Sequence, residues 1–236
     1  MYKHLLLFIL FVYADGNCQT NNYLVFKGDT INRKDPKGLK QGLWRKYYHT
    51  DTLCSESIFK DDQPIAVSRT WYESGKIKAV VTFTPDGKKS KGISYYESGK
   101  LLAKGNYVAL KKDSIWNFYT ENDSLKSIEN YQSGVPVGTW KVFYENGKMA
   151  EQKTYSIGKR EGIYQQFSDS GIVLLEMNYK NDEPNGKLKL YFPDGKLRES
   201  GQYVKGEKDG VWLEYDATGK ITLTEIYKNG RLQKNK

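Results

Sequence analysis

Residues 138–149 read Gly-Thr-Trp-Lys-Val-Phe-Tyr-Glu-Asn-Gly-Lys-Met, and pieces of this segment return along the chain at a spacing of 24 residues. The glycine of its Asn-Gly step, Gly147, recurs in phase at Gly75, Gly99, Gly171, Gly195 and Gly219. The two remaining positions in phase hold Asp51 and Asp123, and aspartate tolerates the left-handed backbone conformation better than most residues. The chain therefore contains eight copies of one repeat, without an insertion.

Four further columns keep the same phase. The residue eight before each turn glycine or aspartate is mostly aliphatic: Leu43, Val67, Lys91, Ile115, Thr139, Ile163, Lys187 and Val211. The residue four before it is aromatic in every copy: Tyr47, Trp71, Tyr95, Tyr119, Phe143, Phe167, Tyr191 and Tyr215. The residue two after it is aliphatic in every copy: Leu53, Ile77, Leu101, Leu125, Met149, Val173, Leu197 and Ile221. The residue eight after it is again aromatic: Phe59, Phe83, Tyr107, Tyr131, Tyr155, Tyr179, Tyr203 and Tyr227.

This pattern predicts that each copy is a β-hairpin. The first strand ends at the first aromatic column, the Asn-Gly step supplies positive φ angles for the turn, and the second strand runs to the second aromatic column. A second loop, rich in Gly, Asn and Asp, leads through short polar stretches such as 158–162 into the next copy. One hairpin cannot bury its aromatic residues alone, so neighbouring hairpins must pair. We therefore expect an all-β fold: an elongated array of about eight 24-residue β-hairpin repeats forming one continuous twisted antiparallel sheet.

The array should occupy residues 39–230. The segment 19–38 then forms an N-terminal cap, in which Tyr23 to Phe26 reads as an edge strand. The basic tail 231–236 would protect the other edge of the sheet, because charged side chains discourage pairing with further strands.

Residues 1–18 resemble an export signal. Lys3 precedes the unbroken apolar run Leu5–Ala14, which is too short to span a bilayer and suits the central region of a signal peptide. Cleavage after Gly16 and cleavage after Cys18 both fit the small residues that follow the run. We expect an exported protein, in the periplasm, at the outer membrane or secreted, without a transmembrane segment in the mature chain.

Cys18 raises lipid attachment as an alternative to simple export. Asn17 and Asp15 fit poorly at the positions that precede a lipid-modified cysteine, so the lipoprotein signal is weak. Cleavage after Cys18 would leave Cys54 as a lone thiol, and His49 five residues away has nothing in the sequence to orient it as a base.

Composition excludes several classes of site. Of 236 residues, only two are His and two are Cys, which speaks against a His/Cys metal centre, a disulfide framework or a redox motif. No nucleophile elbow, phosphate-binding loop or dinucleotide fingerprint is present, and the glutamates of the turns are copies of a structural position. We therefore expect no enzyme activity, no catalytic residue, no cofactor and no metal.

The pattern G-x-W-x-x-[YF]-Y-x-x-G-K-[LI], carried best by residues 138–149 and 210–221, resembles the MORN-repeat variant of bacterial proteins labelled YwqK-family antitoxins. The resemblance covers about 39–230 and implies a β-hairpin array that binds partners, with no catalytic set to transfer. The first glycine of the pattern is replaced in copies two to four by Ala66, Ser90 and Ser114, where the central surface should differ. An export signal also fits poorly with an antitoxin that acts on a cytosolic toxin.

Two rows of residues are candidates for binding. The lysine ladder follows the turn glycine in five copies: Lys76, Lys100, Lys148, Lys196 and Lys220. The aromatic stripe lies two residues after the first glycine: Trp44, Trp116, Trp140, Tyr164 and Trp212. The ladder could attract anionic surfaces or serve only solubility, and the stripe could be an interface or ordinary packing.

The sequence thus predicts a non-catalytic, exported repeat protein that binds an unidentified partner, most simply a protein, in an antitoxin-like manner by resemblance only. The alternative is an anionic membrane or cell-wall surface, bound through the lysine ladder. The net charge of +9 fits either partner. Nucleic acid is a weaker candidate, because export and the interleaved acidic residues speak against it.

Overall fold

The computed structural model describes residues 25–26 and 28–235, and these residues form strands and turns without a helix. The predicted signal peptide 1–18, residues 19–24 of the predicted cap and Lys236 lie outside the described residues. The described part divides after Asp123 into two compact units.

Unit 1 contains ten strands. They are β1 (Val25–Phe26), β2 (Asp29–Thr30), β3 (Arg33–Lys34), β4 (Lys40–Tyr47), β5 (Leu53–Lys60), β6 (Gln63–Trp71), β7 (Ile77–Phe83), β8 (Lys89–Tyr95), β9 (Leu101–Val108) and β10 (Lys111–Tyr119). β1 and β2 form a separate two-stranded sheet, and β3 to β10 pair consecutively and antiparallel.

Unit 2 contains the remaining eleven strands. They are β11 (Leu125–Gln132), β12 (Val135–Pro136), β13 (Gly138–Phe143), β14 (Met149–Ser156), β15 (Lys159–Phe167), β16 (Val173–Lys180), β17 (Glu183–Tyr191), β18 (Leu197–Val204), β19 (Glu207–Tyr215), β20 (Ile221–Lys228) and β21 (Arg231–Asn235). β11 pairs with both β12 and β13, and β13 to β21 pair consecutively and antiparallel.

The predicted fold class is confirmed: the chain is all-β and built from antiparallel hairpin repeats. The first strand of every hairpin ends at the first aromatic column, and the second strand begins at the aliphatic column. The aromatic and aliphatic columns therefore mark the strand ends that flank each turn, as the sequence predicts. The tail differs from the prediction, because Arg231–Asn235 continues the sheet as β21 and pairs with β20.

Seven of the eight hairpin turns share one five-residue hydrogen-bond pattern, and the turn of residues 120–124 keeps the bond from the Asp123 amide to the Thr120 carbonyl. In the turn of residues 144–148, the Tyr144 amide donates to the Lys148 carbonyl at 2.8 Å, and the Gly147 amide donates to the Tyr144 carbonyl at 2.9 Å. Gly147 has φ +80°, whereas Asn146 is not in the positive-φ region, so the prediction that both residues supply positive φ was wrong. The geometry is a turn followed by one left-handed residue that forms a bulge.

In the first and fourth copies, aspartate occupies the turn-glycine position and adopts the same left-handed conformation. Asp51 has φ +60° and Asp123 has φ +63°, as the phase of the repeat predicts. The short side chain of aspartate makes this conformation accessible without glycine.

The opposite ends of the strands are joined mostly by two-residue loops. Asn229 (φ +48°) and Gly230 (φ +74°) connect β20 to β21, with Lys228 directly paired to Arg231. Positive φ at both positions is the hairpin turn whose twist matches that of the strands. The polar residues 159–162 lie within β15, so the loops are shorter than the sequence suggested.

The first glycine of the pattern forms a β-bulge in the left-handed conformation, for example Gly210 with φ +72°. Ala66 (φ +61°) and Ser114 (φ +59°) keep this conformation despite their side chains. Only Ser90 departs, because β7 and β8 pair without a register shift. At Ala66 and Ser114, the backbone of copies two and four therefore matches that of the glycine copies.

Candidate functional site

The aromatic stripe lies on one face of the hairpins, which we call the stripe face. Trp44, Trp116 and Trp212 keep only 9%, 2% and 3% of their surface exposed, while Trp140 and Tyr164 are half-buried. The three tryptophans are therefore core residues, and only the half-buried pair could offer a ring to a partner.

The second aromatic column packs against the stripe. The ring centroids of Trp116 and Tyr107 are 4.8 Å apart, and those of Trp140 and Tyr155 are also 4.8 Å apart. Most of these pairs are tilted or edge-on, which is the favourable geometry for aromatic rings. The two columns form a packed aromatic row because antiparallel pairing brings them to the same face.

Two strand glycines allow tryptophan rings to lie directly on the sheet. A Cβ atom on Gly105 would lie 2.3 Å from the Trp116 ring, and one on Gly201 would lie 2.3 Å from the Trp212 ring. Any larger residue at these positions would displace the ring. The glycines are therefore part of the packing of the stripe, a role that the sequence analysis missed.

Cations cover several of the rings. The Nζ atom of Lys40 lies 5.0 Å from the Trp44 ring centroid, that of Lys112 lies 4.9 Å from the Trp116 centroid, and that of Lys208 lies 4.0 Å from the Trp212 centroid. Each lysine precedes its tryptophan by four residues, so the pattern K-x-[GS]-x-W was a signal in the sequence. These contacts contribute cation–π stabilisation and shield the ring face.

All five lysines of the ladder are exposed at the turns. The Lys148 ammonium donates to the Ser170 carbonyl at 2.9 Å, the Lys196 ammonium donates to the Ala217 carbonyl at 2.7 Å, and that of Lys100 lies 3.3 Å from an Asp123 carboxylate oxygen. Each contact joins one turn to the turn of the next hairpin. Part of the ladder therefore links successive repeats.

Acidic residues share the turns with the ladder. Each of the five turns with a ladder lysine carries one acidic residue: Glu73, Glu97, Glu145, Asp194 and Asp216. The other three turns carry acidic residues and no lysine or arginine: Asp51, Glu121, Asp123 and Asp169. The turn row as a whole is net negative, so the ladder is not a surface of uncompensated positive charge.

A row of tyrosines, which the sequence analysis also missed, ties neighbouring hairpins. The hydroxyl of Tyr96 donates to the Tyr119 carbonyl at 2.8 Å, and that of Tyr144 donates to the Phe167 carbonyl at 2.7 Å. Tyr48 and Tyr72 make the same contact, always to the residue 23 positions later. The tyrosine at the first position of these turns therefore satisfies the last carbonyl of the first strand in the next hairpin.

The face opposite the stripe is left partly apolar. On this outer face, the column eight residues before the turn exposes 52% of Ile115, 47% of Ile163 and 52% of Val211. Their neighbours on the adjacent strands include amide side chains such as Asn178, which is paired with Ile163. We call Leu43, Val67, Lys91, Ile115, Thr139, Ile163, Lys187 and Val211 the outer column.

Burial changes the titration of the tyrosines on the stripe face. Burial raises the pKa of Tyr107 well above its usual range, and burial together with a hydrogen bond to Glu129 does the same for Tyr131. These hydroxyls stay neutral across the physiological range and act as structural groups.

Within the described residues, no cluster of three or more His, Cys, Asp or Glu side chains has a geometry that could hold a metal ion. The same part of the chain has no helix of the length and apolarity needed to cross a membrane.

Five segments match the family model described as MORN repeat variant: residues 91–109, 136–156, 160–181, 184–205 and 208–229. Each segment corresponds to one hairpin around one turn glycine. The hairpins β4–β5 and β6–β7 have the same turn hydrogen bonds although they lie outside the matched segments.

No curated protein matches the sequence significantly. Similar solved structures include a mutant of S. aureus TarM, 11% identical with a TM-score of 0.31, where the likeness covers 45% of this chain and 21% of that chain. The Photorhabdus luminescens Tc holotoxin pore is 13% identical with a TM-score of 0.21, over 86% of this chain and 13% of that chain. The likeness spans about a fifth of the TarM chain and a smaller share of the holotoxin chain. Likenesses this weak carry no argument about function. The family match and the repeated hairpin geometry agree: residues 91–109, 136–156, 160–181, 184–205 and 208–229 match the MORN repeat variant, and each folds as one hairpin of the array.

Proposed function

We propose that this chain is an exported, non-catalytic repeat protein that binds another protein through the outer face of its hairpins. The observation that carries the proposal is the exposure of Ile163 and Val211 in the outer column of unit 2, where Lys187 lies between them. Exposed apolar side chains in register, flanked by polar ones, have the composition of protein interfaces.

The stripe face is less suited to a partner because its tryptophans serve packing. Trp116 and Trp212 are buried beneath lysines and against glycines of the neighbouring strands. A partner there would have to displace these contacts, whereas the outer column requires no rearrangement.

The alternative is that the lysine ladder binds an anionic membrane or cell-wall surface. The five exposed ladder lysines and the net charge of +9 favour it. The acidic residues in every turn weaken it, because each ladder lysine has a carboxylate in its own turn. We therefore place a protein partner first.

An exported location is supported by two features. The apolar run Leu5–Ala14 has the length of a signal-peptide core, and Cys54 is disulfide-bonded. Disulfides form and persist in oxidising compartments such as the periplasm and the cell exterior. An antitoxin-like role rests on the resemblance to YwqK-family proteins and would require a toxin outside the cytoplasm.

The test compares two variants of the outer column with a matched change in the ladder. Ile163→Asp combined with Val211→Asp places charge on the outer face, and Lys148→Glu combined with Lys196→Glu reverses charge on the turn row. We expect chemical crosslinking in native cells to link one partner protein, in stoichiometric amount, to the wild-type protein and to the ladder variant. With purified components, the outer-face variant should lose at least about tenfold in affinity for that partner.

The alternative is tested with the same proteins on vesicles that contain phosphatidylglycerol. Sedimentation with the vesicles that is lost in the ladder variant and retained in the outer-face variant would contradict the proposal. Equal circular dichroism spectra and melting temperatures ensure that the comparison concerns folded proteins.

A further inference from the structure

A cavity of about 50 Å³ lies on the stripe face of unit 1, between β4 and β7. Four hydroxyl side chains contribute to its wall: Ser55, Ser57, Ser68 and Thr70. Trp44 and Phe59 form its aromatic part, and Lys40 and Lys46 add two ammonium groups. All of these residues belong to unit 1.

The cavity exists because small residues replace rings of the aromatic stripe. The stripe position occupied by Trp44 in β4 holds Ser68 in β6 and Gly92 in β8. Ala79 on the intervening strand β7 is also small and lines the cavity. Space that other hairpins fill with aromatic side chains is therefore left open and bordered by polar atoms.

Three buried polar atoms at the cavity lack a hydrogen-bond partner among the described residues. They are Trp44 Nε1, Ser68 Oγ and Thr70 Oγ1. The indole N–H groups of Trp116 and Trp140 donate to the Asn106 and Asn130 carbonyls at 2.9 Å, whereas that of Trp212, which does not line this cavity, also lacks a partner among the described residues. Buried polar groups are nearly always paired, so three such atoms around one cavity indicate a missing partner.

The cavity carries positive charge without a compensating carboxylate. Burial lowers the pKa of Lys46, and the nearby charge of Lys40 lowers it further, so the two ammonium groups repel each other. Among the described residues, no acidic side chain lines the cavity. Glu56 lies on the opposite face of β5, where it pairs with Arg45 at 2.9 Å.

We infer that this cavity binds a small oxyanion, such as phosphate, sulfate or a short carboxylate. The indole N–H, the hydroxyls and the two ammonium groups all donate hydrogen bonds, and an anion would accept them while separating the lysine charges. A water needs about 10–15 Å³ of cavity volume. The cavity of about 50 Å³ therefore accommodates about four waters or one oxyanion of four or five heavy atoms.

The site is distinct from the outer face and independent of the proposed protein partner. Its residues come from the first two hairpins, where Ser68 takes the place of the tryptophan, tyrosine or leucine found in most other copies. A phosphate ester at the surface of a lipid shares the same chemistry, so the experiment distinguishes the free ion from a lipid head group.

The experiment measures thermal unfolding and tryptophan fluorescence of the mature protein in a buffer free of oxyanions. Inorganic phosphate, sulfate and acetate are titrated at constant ionic strength with chloride as the balancing ion. We expect the melting temperature to rise saturably with at least one oxyanion and not with chloride, because binding to the folded state alone stabilises it. Lys46→Gln should weaken this binding at least about tenfold.

Lys91→Gln is the matched control, because Lys91 is an exposed lysine of the same unit that does not line the cavity. It should change the affinity less than about twofold, as expected for a distant exposed charge. Ser68→Ala provides a second variant that keeps the fold: it should raise the melting temperature without oxyanion and reduce the oxyanion-induced rise.

Vesicles with phosphatidylglycerol form the second arm. Saturable binding of the free ions that depends on Lys46 supports the site with a free ion as its ligand. Binding to vesicles alone that depends on Lys46 supports the same site with a lipid head group. Absence of saturable binding in both arms, or equal loss in Lys46→Gln and Lys91→Gln, would overturn the inference.

Discussion

At the scale of single residues, the left-handed backbone conformation recurs at fixed places in the repeat. It occurs at the turn residue, at the bulge and in the two-residue loops, for example at Gly147, Gly210 and Asn229. The chain uses glycine, asparagine or aspartate at most of these places, because these residues adopt positive φ at low cost. Where another residue occupies such a position, the backbone is locally strained.

Ile157 is one such place. It has φ +47° in the loop between β14 and β15, and it keeps 83% of its surface exposed. A β-branched residue is disfavoured in this conformation, and nothing in its burial compensates the cost. We expect Ile157→Asn to raise the free energy of unfolding by about 1 kcal/mol, measured by urea denaturation.

Asn229 supplies the control for this prediction, because it occupies the same loop position with φ +48°. Asn229→Ile should lower the free energy of unfolding by a similar amount. A loss of stability in Ile157→Asn would show that the isoleucine makes a favourable contact that its exposure conceals.

At the scale of elements, the hairpins are held together by two kinds of contact that cross from one strand to the next. Tyrosine hydroxyls such as that of Tyr144 bind the carbonyl 23 residues later, and tryptophan rings such as that of Trp212 lie over glycines of the adjacent strand. Both contacts depend on pairing of separate strands. They stabilise a hairpin only in the presence of its neighbour, which is how a repeat array gains its stability.

Gly201→Ala tests the ring contact between β18 and β19. The added Cβ would lie 2.3 Å from the Trp212 ring, so the ring must shift and its packing against Tyr203 must weaken. We expect the free energy of unfolding to fall by about 1–3 kcal/mol, measured by urea denaturation.

The matched background for this test is Trp212→Leu, because leucine is the natural residue of the same column at Leu188. In that background Gly201→Ala should cost less than half as much, since the ring is absent. An equal cost in both backgrounds would mean that Gly201 acts through its backbone and not through the ring.

At the scale of the whole molecule, the net charge and the disulfide of Cys54 bear on the cellular location of the protein. The net charge of +9 is not concentrated at the turns, because carboxylates accompany the lysine ladder. Cys54 is buried and disulfide-bonded, so it is not the lone thiol that cleavage after Cys18 would leave. Cys18 is the other cysteine of the sequence, and it lies outside the described residues.

A disulfide within one chain requires that Cys18 remain in the mature protein. We therefore expect cleavage before Cys18, no lipid on it, and a Cys18–Cys54 peptide pair in a digest of the native protein under non-reducing conditions. Mass spectrometry of the exported protein checks this. A mature chain that begins at Gln19, or a Cys18 that carries lipid, would contradict the prediction.

The sequence alone determined the repeat, the hairpins and the strand ends that flank each turn. A period of 24 residues with aromatic and aliphatic columns specifies local strand pairing, which depends on near neighbours in the chain. The left-handed conformation of Asp51 and Asp123 followed from phase alone and is confirmed.

The tertiary structure decided which face is buried, how the lysines are used and where a cavity opens. Periodicity cannot show that Trp116 is buried while Ile115 is half exposed, because both recur with the same spacing. It also cannot show that Lys148 binds the next turn, or that Ser68 and Trp44 border one cavity. These properties depend on contacts between strands that are distant in sequence, and side-chain volumes summed across several strands settle them.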